Sequence, residues 1–175
     1  MAKTYTTVGT VSAGDVYTAA AHNIIATDVN NLTVKPAVSV YRSSALTSYT
    51  SGLAITWQAE HYDTDSMWSS GSGITIGTTG LYHLSFAGQA SGSATITLVI
   101  PQITRSGTNI LSGQSGVANG NESRFALSGI VDLTAGDTLT ASLFMIGGSA
   151  YAIGGNATYG ENQTRLVLNW LGLKA

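Results

Sequence analysis

A chain of 175 residues suits one domain with a short appendage. Apolar residues make up 43% of it and charged residues only 9%, the reverse of the composition that keeps a chain disordered. Seven Lys and Arg, with none between Ser43 and Thr104, and a net charge of −2 exclude the clustered cations of a nucleic-acid binder; the lack of Cys excludes disulfides, thiolate metal sites and a thiol nucleophile.

With 20 Ser, 23 Thr and 21 Gly, the rest of the composition favours strands and turns. The N-terminal Tyr5-Thr6-Thr7-Val8-Gly9-Thr10-Val11 alternates like extended chain. The one helical pattern follows, from Thr18 to about Leu32, with the Thr18 hydroxyl placed to accept early amide protons. Ala21, Ile25, Val29 and Leu32 form its apolar stripe, and Lys35-Pro36 ends it. A helix of about four turns is marginal alone, so it is predicted to dock on the domain behind it, a sister subunit or a larger assembly. Residues 1–36 therefore read as an anchoring arm and residues 37–175 as the domain. The first residues lack the apolar core of a secretory signal. No run approaches the roughly 18 apolar residues that cross a bilayer, and the mean hydropathy of +0.19 is assigned to a packed interior.

From Ala37 onward the pattern is strand and turn. Val38 and Val40 alternate with Ser39 and Tyr41, and Ile55 and Trp57 with Thr56 and Gln58. Ile74-Thr75-Ile76 precedes a turn, after which Tyr82, Leu84 and Phe86 share one face of a strand and His83, Ser85 and Ala87 the other. Ala94 to Thr104 contains Pro101 and is predicted to be an edge or bulged strand. Ile110-Leu111, Phe125 to Leu133, Leu139 to Ile146 and Arg165 to Leu171 complete the set, with breaks at Ala118–Asn121, Ala135-Gly136-Asp137 and Gly154-Gly155-Asn156. No helices separate these strands, so the predicted fold is all-β, an antiparallel sandwich of jelly-roll type behind a short strand-helix arm.

Glu60-His61-Tyr62-Asp63-Thr64-Asp65-Ser66-Met67-Trp68, then Ile74-Thr75-Ile76 and Thr79-Gly80-Leu81-Tyr82, resembles a pattern frequent in bacteriophage structural proteins. Val131-Asp132-Leu133-Thr134-Ala135-Gly136-Asp137-Thr138-Leu139 matches its turn, and Leu168-Asn169-Trp170-Leu171-Gly172-Leu173 its closing strand. The resemblance covers residues 37–175. That group is similar to the jelly-roll heads of tumour necrosis factor and of complement's first component, which are homotrimers. The resemblance implies a homotrimer here, with Tyr82, Phe86, Phe125 and Trp170 on the inner sheet at the three-fold interface, where aromatic residues are favoured. The same four side chains also suit the core of a single copy.

Candidate chemistry is sparse. Asp63 and Asp65, beside Glu60 and His61, are the densest polar cluster, open to a Ca²⁺ reading or an acid–base pair. No third acid converges with them, and a turn in which they cap amides is the better reading. His22, His61 and His83 lack metal-ligand spacing. Ser115 lacks the second glycine of a nucleophile elbow. No cofactor, metal or catalytic group is expected.

The expectation is thus a non-enzymatic phage virion protein, assembled in the host cytoplasm. It is a trimeric knob that decorates the capsid, gripping other virion proteins, the major capsid protein first among them, through the Ala21, Ile25, Val29 and Leu32 face of its arm. The alternative is a tail or head-fibre knob that binds a host glycan or receptor, with Trp68 as a stacking platform. Neither role involves nucleic acid or a membrane.

Overall fold

The computed structural model describes residues 20, 22–26, 29, 34–92, 95–115, 122–147, 150–156 and 163–173. The strands among them are β1 Ala37–Tyr41, β2 Ser44–Tyr49, β3 Ala59–Asp63, β4 Ile74–Thr75, β5 Gly80–Ser91, β6 Leu98–Arg105, β7 Thr108–Ser112, β8 Glu122–Leu133, β9 Thr138–Ile146, β10 Tyr151–Asn156 and β11 Arg165–Gly172. One sheet runs β2-β10-β5-β11-β1-β3, with β8 on the far edge of β5; the other runs β4-β9-β6-β7. All pairings are antiparallel.

The length of β5 organises the first sheet. Its whole span, Gly80 to Ser91, pairs with β8. On its other edge β11 takes Leu81 to Ala87, and β10 takes Ala90 and Ser91. The last strand of the chain thus lies between β1 and β5, the long-range closure of a jelly roll. β7 packs against β8, so the β7 edge of one sheet meets the β8 edge of the other, and the β3 and β4 edges share the opposite side.

Period-2 alternation builds the interior. Tyr82, Leu84, Phe86 and Ala90 of β5 point inward with Leu166, Leu168 and Trp170 of β11. Val99 and Ile103 of β6 and Leu139, Ala141, Leu143 and Met145 of β9 meet them from the second sheet. Fully burying each large apolar side chain contributes about 1.5–3 kcal/mol.

Three departures from the sequence reading have physical causes. Ile55 to Gln58 is extended without joining a ladder: the amides of Ile55, Trp57 and Gln58 donate to Ala141, Gly71 and Tyr41 respectively, three separate elements. Pro101 lies in β6, which has β9 on one side and β7 on the other, so the edge alternative fails, whereas the strand is irregular toward β7, where the register shifts between Ile103 and Thr104. Its carbonyl accepts from Gly113, just past β7. The missing N–H faces that same side, so the β9 ladder loses nothing. Finally, β2, β3 and β10 carry no clean alternation; β3 is Ala-Glu-His-Tyr-Asp, and β10 ends in the Gly-Gly-Asn read as a break.

In the arm, residues 20, 22–26 and 29 are helical. Ala21 and Leu32 of the predicted stripe lie outside the described residues. Among the described residues no helix is long and apolar enough to cross a membrane.

Candidate functional site

The four aromatic residues assigned to a three-fold interface are interior to one copy. Tyr82 and Phe86 are 0% exposed, and Phe125 and Trp170 4%. The Tyr82 hydroxyl donates to the Thr78 carbonyl at 2.6 Å, and the Trp170 indole N–H to the Thr79 carbonyl at 3.3 Å. Phe86 packs on Phe125 with centroids 4.9 Å apart and meets Trp57 edge-on at 6.3 Å. Their inward faces are filled by the second sheet, so no surface is left for another copy. This corrects the interface assignment: alternation gives the face a side chain takes, and here that face belongs to the core.

The Asp cluster ties a loop. One carboxylate oxygen of Asp63 accepts from the Trp68 amide at 2.8 Å and the other from the Asp65 amide at 3.2 Å. Asp65 is buried and accepts from the Thr78 hydroxyl at 2.9 Å. Among the described residues no group of three His, Cys, Asp or Glu side chains is placed to hold a metal ion. The Trp68 indole N–H donates to the Gly71 carbonyl at 3.2 Å while its ring packs against the core. The ring is thus partly buried, with one part against the core and the rest at the surface. His61 stacks on Tyr41 at 4.2 Å.

Two buried polar side chains, which no motif announced, hold the framework. The Arg42 guanidinium donates to the Ser44 and Thr56 carbonyls, and burial holds its pKa below the ordinary value. The Tyr49 hydroxyl donates to the Leu53 carbonyl at 2.5 Å and accepts from the Leu143 amide at 2.9 Å.

The exposed faces of the two sheets differ. On the outward side of the first sheet, one row runs Ser128–Ser85–Val167–Ser39–Tyr62 across β8, β5, β11, β1 and β3, with Ser39 buried, and the next runs Ile130–His83–Asn169–Ala37 across the first four of them. Neither row contains Lys, Arg, Asp or Glu. Ile130 is 63% exposed. On the second sheet Leu98 is opposite Ile146 and Ile100 opposite Phe144, placing four large apolar side chains in one square. Phe144 and Ile146 are 47% and 52% exposed. Sequence reading missed this square, although one signal was present: Leu143-Phe144-Met145-Ile146 is apolar at consecutive positions, so the strand is apolar on both faces. On the arm helix, Ile25 and Val29 of the predicted stripe are 38% and 51% exposed.

No protein-family model matches the chain, and none of the curated proteins matches it. Among solved structures, the globular domain of zebrafish complement 1qA protein is similar with a TM-score of 0.53 and 13% identity. The match covers 81% of this chain and 100% of that one. With the sheet order above, this likeness identifies the fold as an antiparallel jelly-roll β-sandwich of the kind found in the complement C1q globular domain.

Proposed function

We propose that the protein is a non-enzymatic structural component of a bacteriophage virion: a homotrimeric knob that decorates the capsid and is held there by the arm, residues 1–36. The observation that carries this reading is the outer face of the first sheet. Between the rows that carry Arg165 and Asp132, Ser85, Ser128, Val167 and Asn169 make a small, uncharged band across β8, β5 and β11, beside the exposed Ile130. Small side chains lose little rotamer entropy on burial, and a band without charges avoids the cost of desolvating an ion against a second copy. Such a face suits close self-association. The motifs shared with phage structural proteins lie in the same domain, at Asp63–Trp68, Gly80–Tyr82 and Ala135–Asp137. Three arms on one knob would multiply a weak grip on the shell, because each later contact forms at high effective concentration.

Sedimentation of the full chain at micromolar concentration tests self-association. A trimer is expected for the wild type, and Ser128→Arg should dissociate it by placing a guanidinium in the face. A wild-type monomer would refute the reading. Binding to empty capsids should require residues 1–33, and equal binding without them would remove the arm's role.

A further inference from the structure

We infer that the Leu98–Ile100–Phe144–Ile146 square on the outer face of the second sheet is the docking site for the arm helix of a neighbouring copy. The inference goes beyond the proposed function and needs no shell; the stripe bound this way is not available to the capsid, so the grip on the shell falls to the rest of residues 1–36.

Two exposed apolar surfaces are present in one chain, one on a helix and one on a sheet. Register places Leu98 against Ile146 and Ile100 against Phe144, on the same face. Phe144 lies over Gly52, where a Cβ would come within 2.9 Å of its ring, so the ring rests on backbone. The helix presents Ile25 and Val29, one turn apart, with Ile24 beside them at 36% exposure. A short apolar helix face on a complementary apolar surface is a recurrent mode of recognition, and a helix this short gains most of its stability by docking.

Area argues for a helix over a flat pairing of two sheets. The exposed part of the square is roughly 300–400 Å², about half of what each partner of a stable interface buries. That deficit weakens a patch-to-patch dimer but matches two turns of helix.

Reach argues for a neighbour over the same copy. Ala37 is level with Asn169, His83 and Ile130, three residues, or about 10 Å, from the end where β8 stops and β9 starts. Phe144 lies six residues along β9 from that end, about 20 Å, on the opposite outer face. Sheets stand about 10 Å apart and a helix rides about 10 Å above its sheet. The route from Ala37 round that end is therefore about 50 Å, and the shorter way over the β3–β4 edge about 35 Å. The chain from Val29 to Ala37 spans about 28 Å when fully extended.

Because the chain lacks Cys, single thiols report the contact cleanly. Full-length Val29→Cys and full-length Ile146→Cys chains, mixed and oxidised with diamide, should yield a disulfide joining residue 29 of one chain to residue 146 of the other, identified in tryptic peptides. Adding Phe144→Asp to the acceptor chain should lower the yield about tenfold, and so should Ile25→Asp in the donor chain. The second variant lies outside the sandwich and cannot unfold it. A yield unchanged by both aspartates would overturn the inference. So would a chain carrying both thiols that links only within itself. The measurement uses purified protein alone, so its failure is separate from any failure to decorate a capsid.

Discussion

Replacing Tyr49 with Phe removes one oxygen from the middle of the fold. That oxygen accepts the Leu143 amide proton at 2.9 Å and donates to the Leu53 carbonyl at 2.5 Å. Leu143 is opposite Pro101, whose own polar side faces Gly113, so β6 offers the Leu143 amide nothing. On that edge of β9 the Gly52 amide donates to the Leu143 carbonyl. The hydroxyl thus fastens the turn after β2 to the central strand of the other sheet. Tyr49→Phe leaves a buried N–H and a carbonyl without their partner, at about 1–3 kcal/mol for the pair; the ring keeps its apolar contacts. For a chain of this size that lowers Tm by roughly 3–10 °C. Burial also raises the hydroxyl's pKa above its usual value, the Leu143 and Gly52 backbone bonds opposing. The unfolded state then loses this proton near pH 10, before the folded state does. Stability from this group is full below pH 10 and falls as pH rises toward the folded pKa, and Phe at this position abolishes that component. Urea unfolding of both proteins at pH 7 and again at pH 10.5 measures the two effects. A wild-type-like midpoint at pH 7, or an identical alkaline slope, would refute the bridging role.

Gly88→Ala should lower the unfolding free energy by about 1–3 kcal/mol, read as a lower urea midpoint at unchanged m, because a Cβ there would come within 2.8 Å of the Thr164 Cα, and backbone cannot step aside as a side chain can. Asp63→Ala frees the Trp68 and Asp65 amides; a stability loss of about 1–2 kcal/mol with a red shift of tryptophan emission is expected, whereas added Ca²⁺ should leave the wild-type Tm in place. Ser128→Arg, on an exposed position, should change the unfolding free energy by no more than about 0.5 kcal/mol while abolishing self-association in sedimentation.

How much of this the sequence revealed depends on which forces act locally. β5 and β11 were legible because alternation is a property of one strand. The turn at Ala135–Asp137 was legible because Gly136 takes φ +94° and the Asp137 carboxylate accepts from the Thr134 amide at 2.8 Å, both local requirements. Pro101 was not, since the cost of its missing N–H depends on which neighbour that side faces. β10 was not, because its Gly-Gly is tolerated only where β2 and β5 both pair with it irregularly or briefly. The candidate surfaces fared worst. Large aromatic residues attract an interface reading, yet Tyr82, Phe86, Phe125 and Trp170 are consumed by the core, and what is left outside is a small, uncharged band on one sheet and an apolar square around Phe144 on the other.

Those two outer faces lie on opposite sides of the sandwich, separated by its full thickness and sharing no residue. Free energies at sites so far apart add, to within about 0.3–0.5 kcal/mol, unless an element couples them. The arm could do so, since it enters beside the first sheet at Ala37 and carries the stripe assigned to the second, and so could β8, which carries Ser128 and packs on β6 beside Leu98 and Ile100. If the helix docks on a neighbour's square as inferred, Ser128→Arg and Phe144→Asp should act independently. The first would remove the trimer and leave the residue 29–146 disulfide yield intact; the second would remove the disulfide and leave sedimentation of the trimer intact. A double variant whose losses exceed the sum by tenfold, about 1.4 kcal/mol, would mean that one assembly event uses both faces, and the two surfaces would have to be treated as a single interface.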